Sequence, residues 1–270
     1  MSASSSILEL KEVTLRFGGL TAVNRFSTSV APGQLFGIIG PNGAGKTTAF
    51  NLITGVYTPS EGSVRFDGET VASGPASGQR AFRARPYELA AKGICRTFQN
   101  IRLFGSLSVL ENVRAAFQQR LGTGLAAATL RLPTFFDEEA AVEEEARALL
   151  SIVELEHLAS SEARNLAYGE QRRLEIARAL ATSPRLLLLD EPAAGMNPSE
   201  KVRLSEMVKR IRQKFGLTVV MIEHDMRFVM GLCERIAVLD HGEKIAEGTP
   251  DEVRANPAVI EAYLGEAAHA

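Results

Sequence analysis

Apolar and polar positions divide this chain of 270 residues into three stretches of different periodicity. Near the start, Val13, Leu15 and Phe17 alternate with polar residues before Gly18-Gly19, which predicts a strand and a turn. Leu35–Ile39 is a short apolar run leading into a glycine-rich loop and predicts a buried strand. Ser63–Phe66 alternates again and ends at Asp67-Gly68, a hairpin signal. The middle turns helical. Ser108 and Glu111 have capping-box spacing ahead of a helix predicted to reach about Leu121. Gly122–Pro133 is an Ala/Gly-rich connection, and Asp137–Leu158 predicts a second helix with acids in its first turns, where the macrodipole favours them. From Glu170 the two periods alternate. Helices are expected over Glu170–Ala181, Ser199–Phe215 and near Met226–Cys233, with strands over Arg185–Leu189, Leu217–Ile222, Arg235–Leu239 and Lys244–Glu247. Such alternation predicts a parallel α/β fold. Thr249-Pro250-Asp251-Glu252 joins a capping box to a proline at the first helical position, and Pro257 starts a last short helix.

Composition narrows this picture. Thirty Lys+Arg against 32 Asp+Glu leave no basic excess for nucleic acid and no polybasic patch for an anionic membrane. Cys95 and Cys233 stand far apart and outside any CxxC spacing, which argues against a disulfide framework or zinc site and for a reducing compartment. No apolar run approaches the ~18 residues of a membrane span, and Met1–Ser6 lacks the apolar core of a signal peptide. The expectation is a cytosolic chain that meets a membrane only through partners.

Two motifs carry chemistry. Gly40-Pro41-Asn42-Gly43-Ala44-Gly45-Lys46-Thr47 fits the phosphate-loop pattern GxxxxGK[ST], after a predicted strand and before a predicted helix. Triphosphate oxygens need converging N–H donors, and glycine lets the backbone come close. Asn42, Gly43, Ala44, Gly45, Lys46, Thr47 and Thr48 are the candidate binding residues. Lys46 would reach the β- and γ-phosphates, and the Thr47 hydroxyl a Mg²⁺ ion. Leu186–Leu189 then leads into Asp190-Glu191, acids at the end of an apolar strand, where a parallel sheet opens its ligand crevice. Asp190 fits a Mg²⁺ ligand and Glu191 the residue that orients the attacking water. Acids that merely terminate a buried strand would look the same if this segment stood alone.

Between these motifs, Asn165-Leu166-Ala167-Tyr168-Gly169-Glu170-Gln171-Arg172-Arg173, continued by Leu174-Glu175-Ile176-Ala177-Arg178-Ala179-Leu180, resembles the signature segment of ABC ATPases. The family's usual core is Leu-Ser-Gly-Gly-Gln; here Ala167 stands for the serine and Tyr168 for a glycine. In that family the segment starts a helix aimed at the γ-phosphate bound by the other subunit, which implies nucleotide contacts for Tyr168, Gly169 and Glu170. Arg96-Thr97-Phe98-Gln99 resembles the Q-loop, implying a Mg²⁺-sensing, catalytic role for Gln99. Ile222-Glu223-His224-Asp225 resembles the switch segment, implying that His224 reaches the γ-phosphate. Ala193–Pro198 fills the D-loop slot without its usual aspartate, leaving Asn197 as the contact there. Phe17 sits where the family stacks an aromatic on adenine, and Val23 joins it as a cofactor-binding candidate; an aromatic at a hairpin edge is the alternative for Phe17.

The resemblance implies an α/β fold: a P-loop NTPase core with a mostly parallel sheet, an antiparallel β-subdomain and a helical subdomain. It implies an ATPase domain over residues 1–255, with the helical subdomain at about 97–166, and a C-terminal helical tail over 256–270. It also implies ATP and Mg²⁺, a second ABC ATPase subunit in a homo- or heterodimer and two transmembrane permeases, while the balanced charge leaves no nucleic-acid partner expected. Arg96–Phe104, Leu166–Gly169, Ala193–Pro198, Glu223–Met230, Asn256–Gly265 and the extended Gly122–Glu145 look like the ATP-binding proteins of bacterial branched-chain amino acid importers. That subgroup implies amino-acid import with a periplasmic substrate-binding protein, and a cytoplasmic, peripheral place on the inner face of the bacterial membrane. The alternatives are ATPases of urea or amide import, of lipopolysaccharide export, or a soluble ABC ATPase, which usually carries tandem cassettes or coiled-coil insertions absent here. A P-loop kinase or GTPase fits less well, since neither a lid and acceptor pocket nor an NKxD motif is found.

Overall fold

The computed structural model describes residues 6–75, 80–117 and 133–267, and the chain divides into two units. The first takes in residues up to Arg96, Arg185–Ala194, and residues from Arg212 onward. It holds two sheets. One is antiparallel, in the order β2 (Leu20–Val30), β1 (Leu8–Phe17), β4 (Glu61–Phe66), β5 (Glu69–Ser73), β6 (Phe82–Arg83). The other runs β11 (Glu243–Gly248), β10 (Arg235–Asp240), β3 (Leu35–Ile39), β9 (Thr218–Ile222), β8 (Leu186–Asp190), β7 (Ile94–Arg96), parallel throughout except for β11. Strands β3, β8 and β9 are buried at every position, which is why they read as unbroken apolar runs.

β1 does not alternate as cleanly as its sequence suggests. Glu12 has φ 49, the register slips on both flanks, and Thr14 is buried between Val13 and Leu15, its hydroxyl accepting the Arg25 N–H at 3.0 Å. Helices α1 (Lys46–Ile53), α2 (Pro86–Ala91), α7 (Met226–Leu232), α8 (Pro250–Ala255) and α9 (Pro257–Ala267) complete this unit. The capping box expected at Thr249 forms, with Glu252 Oε2 accepting the Thr249 N–H at 2.7 Å.

The second unit, Thr97–Pro184 with Gly195–Ile211, is helical. It contains α3 (Val109–Phe117), α4 (Pro133–Ile152), α5 (Tyr168–Ala181) and most of α6 (Pro198–Phe215). The Ser108–Glu111 box that opens α3 forms in both directions, at 2.7 and 3.1 Å. The end of the helix expected to Leu121, and the connection after it, lie outside the described residues.

The helix expected over Asp137–Leu158 ends earlier, at Ile152. Glu154 takes φ 61, its N–H bonds the Ser151 carbonyl, and the Leu155 N–H bonds that of Leu150. This is a Schellman stop with glutamate where glycine is usual. Leu150 and Leu155, both fully buried, supply its hydrophobic contact. The Glu154 carboxylate is met by Arg210 at 2.9 Å and Arg173 at 3.5 Å. A rule that seeks glycine at helix ends misses such a stop.

Candidate functional site

The glycine-rich loop follows β3, Asp190 ends β8, and His224 lies two residues beyond β9. These three parallel strands are neighbours in the sheet, so the three segments emerge side by side at the same edge. The loop's shape is fixed by its glycines. Gly45 has φ 95, and a Cβ there would stand 2.5 Å from the Ala22 carbonyl oxygen. Gly43 has φ 79 with open space around it. Lys46 is buried, its ammonium donating to the carbonyls of Gly40 and Pro41 at 2.7 Å each. The Ala44 N–H donates to Pro41 O at 3.2 Å and its carbonyl accepts from Gly242 at 3.1 Å. Asn42, Gly43 and Thr47 are exposed and Thr48 is half-buried. A cleft of about 400 Å³ is lined by Gly40, Asn42, His224, Asp225, Met226 and Tyr263 among others.

Asp190 is buried, and Arg96 at the end of β7 meets it with Nη2 to Oδ2 at 2.6 Å. The same guanidinium donates to Asn51 Oδ1 at 2.7 Å and Thr54 Oγ1 at 3.3 Å, and lies over the Phe50 ring at 5.6 Å. Arg96 therefore ties the acid strand to helix α1. Ninety-four residues separate it from Asp190, and no local pattern announces the pairing.

Glu191 is half-buried in the left-handed backbone region at φ 47, unusual for a side chain with a Cβ. Its N–H donates to Ile222 O at 3.0 Å and its carbonyl accepts the Ala194 N–H at 3.2 Å. Strain of this kind concentrates at working residues.

Glu223, between strand β9 and His224, is fully buried. Its carboxylate accepts the Ala193 N–H at 2.7 Å and the His224 N–H at 3.2 Å. Burial pushes its pKa up, against the pull of those N–H groups and of His224. Glu223 thus pins both the chain after Glu191 and the histidine loop. His224 itself is exposed, and Asp225 caps α7 through the Phe228 N–H.

Phe17 is exposed and meets Tyr57 edge-on, with centroids 5.2 Å apart. Val23 has no exposed surface, and its Cγ2 faces Gly45. Tyr263 of α9, part of the Asn256–Gly265 tail motif, lines the cleft.

The other expected site residues belong to the second unit. Gln99 is exposed, and its carbonyl accepts from Arg172. α5 begins at Tyr168, two residues earlier than its pattern predicts. With alanine at 167 the hydroxyl half of a capping box is missing, and Glu170 supplies the other half by accepting the Ala167 N–H at 2.9 Å. Tyr168 is exposed and packs against Gly195, while Gly169 lies beside Glu200. Asn197 caps α6, its Oδ1 accepting the Glu200 N–H at 3.0 Å.

A glycine loop opening a helix, with paired acids at the carboxyl end of an adjacent parallel strand, defines a P-loop nucleoside triphosphatase. The family model for "ABC transporter" matches residues 23–194, and that for "Branched-chain amino acid ATP-binding cassette transporter" matches residues 243–269. The chain is 45% identical over 264 residues to the high-affinity branched-chain amino acid transport ATP-binding protein BraF of Pseudomonas aeruginosa, covering 98% of this chain and 100% of that one. Among solved structures it resembles the ADP conformation of an ATP-binding cassette of an ABC transporter, with TM-score 0.81, 32% identity, and 97% and 99% of the two chains covered. It also resembles a dimeric cassette in a post-hydrolysis state bound to ADP and Pi, with TM-score 0.71, 26% identity, and 90% and 98% covered. The chain belongs to the ABC transporter family, as one of its ATP-binding ATPase subunits. No helix among the described residues is long and apolar enough to cross a membrane.

Proposed function

We propose that the chain hydrolyses MgATP as one of two paired ATP-binding subunits and so drives import of branched-chain amino acids through two membrane permeases. The observation that carries the hydrolytic half is the convergence of the Gly40–Thr47 loop, Asp190-Glu191 and His224 at the ends of three adjacent strands. Lys46 and the loop N–H groups bind the β- and γ-phosphates, and Phe17 stacks on adenine. Thr47, Asp190 and Gln99 offer hard oxygen donors that suit Mg²⁺, and Thr47 is exposed at the helix start. The bound ion supplies charge neutralisation across the phosphates. Glu191 orients a water whose oxygen attacks the γ-phosphorus as the bond to the β–γ bridging oxygen breaks, and it accepts the water's proton. The strained backbone at Glu191 favours this assignment. His224 reaches the γ-phosphate, and Tyr168, Gly169 and Glu170 face the nucleotide of the other subunit.

The ATPase domain spans 1–255, with a helical subdomain from about residue 97 and a C-terminal tail over 256–270. The match of residues 243–269 to the branched-chain amino acid cassette family, together with BraF-like relatives, supports the cargo. A periplasmic substrate-binding protein completes the assembly, and the subunit works as a peripheral protein on the cytoplasmic face of the membrane. The test is Glu191→Gln in the assembled transporter. Steady-state hydrolysis should vanish while ATP remains bound, and normal turnover in that variant would sink the assignment.

A further inference from the structure

Helix α5 buries two charged side chains for which hydrolysis has no direct use. Arg172 and Glu175 are one turn apart and 2% and 6% exposed. Arg172 Nη1 lies 3.1 Å from Glu175 Oε2. Their other bonds run to one short stretch of main chain. Arg172 donates to the Phe98 carbonyl at 2.6 Å and to the Gln99 carbonyl, while Glu175 Oε1 accepts the Phe98 N–H at 3.0 Å. Arg172 also bonds the Tyr168 hydroxyl at 3.1 Å and lies over its ring at 5.5 Å.

A buried arginine–carboxylate pair is weak ground for stability, because desolvation offsets its attraction and an apolar pair would pack as well. What an apolar pair lacks is the planar fork that takes two carbonyls at once, and the acceptor for the Phe98 N–H. The Phe98-Gln99 segment lies in no helix or strand, so its peptide groups need partners from elsewhere. α5 provides them.

We propose that Arg172 and Glu175 are positioning residues that lock the Gln99 segment to the signature helix, so that Gln99 and Gly169 move as one piece. This rests on the assignment of Gln99 to the nucleotide site. Tyr168, which replaces the family's glycine, gains a part in the same device. Its ring lies between Arg172 and Gly195, a Cβ on which would stand 3.3 Å from Tyr168 Cε1. The signature segment, the Gln99 carbonyl and Gly195 thus form one contiguous set of contacts.

The experiment compares Glu175→Ala, Glu175→Gln, Gln99→Ala and the double variant Glu175→Ala/Gln99→Ala in the assembled transporter. ATPase kinetics are read together with amide hydrogen exchange. Glu175→Ala should raise exchange at residues 97–99 about tenfold while residues 174–181 stay protected. It should lower kcat about tenfold and leave KM for ATP within about twofold. Glu175→Gln keeps an oxygen for the Phe98 N–H and should retain most of both. The double variant should be no slower than Gln99→Ala alone. Unchanged exchange in Glu175→Ala overturns the proposal, and so do multiplied losses in the double variant. If Gln99→Ala turns over normally, the assignment of Gln99 fails, and the exchange result alone then decides the lock. Should Glu175→Ala not fold, Arg172→Lys keeps the charge but not the fork and must loosen residues 97–99 in the same way; unchanged exchange there overturns the proposal.

Discussion

In the first unit the polar machinery stands at the ends of buried strands and is shaped mainly by main chain. Gly43, Gly45 and Glu191 take positive φ there, and loop carbonyls hold the Lys46 ammonium. In the second unit the corresponding ordering comes from side chains of one helix, with Arg172 and Glu175 reaching out to the main chain of Phe98 and Gln99. Strand ends in a parallel sheet already project to one edge, so only the loops between sheet and helix need shaping. A helix offers no such edge. It can position a loop only by spending buried donors and acceptors on it, and those require desolvated charges.

Arg96 is where the first unit borrows the second unit's method, and it gives the largest expected effect. Arg96→Ala removes the guanidinium from the buried Asp190 carboxylate at 2.6 Å and from Asn51. Removing one partner of a buried pair costs about 3–5 kcal/mol. Chemical denaturation of the purified subunit would read this as a lowered midpoint. A loss below about 1 kcal/mol, the range of an exposed pair, would mean that main chain alone orders this edge.

Next in size are two glycines of the same loop. Gly45→Ala meets the Ala22 carbonyl at 2.5 Å as well as an unfavourable φ of 95, whereas Gly43→Ala meets only the unfavourable φ of 79. The first should cost about 2–3 kcal/mol and abolish nucleotide binding. The second should cost about 1 kcal/mol. Thermal unfolding and calorimetric titration with ATP would check both. Equal losses would show that steric contact with β2 contributes nothing.

The same contrast governs what was legible in the sequence. The loop and Asp190-Glu191 could be read because main-chain geometry demands particular residue types at fixed local spacing: glycine where φ is positive, and an acid at a strand end. Buried strands were legible as unbroken apolar runs for a similar reason. The Arg96–Asp190 and Arg172–Gln99 contacts join residues 94 and 73 positions apart, and spacing carries no trace of them. Glu154 hid a helix end because a glutamate in the left-handed region, held by two arginines, leaves no glycine behind.

The smallest effect is a difference in sign with pH, and it compares a buried acid of each unit with a more exposed one. Burial is the leading cause that raises the pKa of Glu175 in the second unit and of Glu223 in the first above the ordinary 4.5. Each folded carboxyl then keeps a proton that the unfolded chain has released. Stability from that group therefore falls as pH rises from about 4.5 through the raised value. Glu154 is the opposite case, its pKa lowered first by the hydrogen bond from Arg210. Its contribution is present above the ordinary value and is lost as pH falls through the lowered one. Relative to wild type, Glu175→Gln and Glu223→Gln should thus gain stability as pH rises above about 4.5, while Glu154→Gln should lose a little as pH rises through the interval just below about 4.5, solvent screening keeping that change small. Urea unfolding of the three variants on both sides of about pH 4.5 reads the slopes. If Glu175→Gln and Glu154→Gln shift in the same direction, the carboxylate on α5 is solvated after all, and the second unit does not order its loop through buried charge.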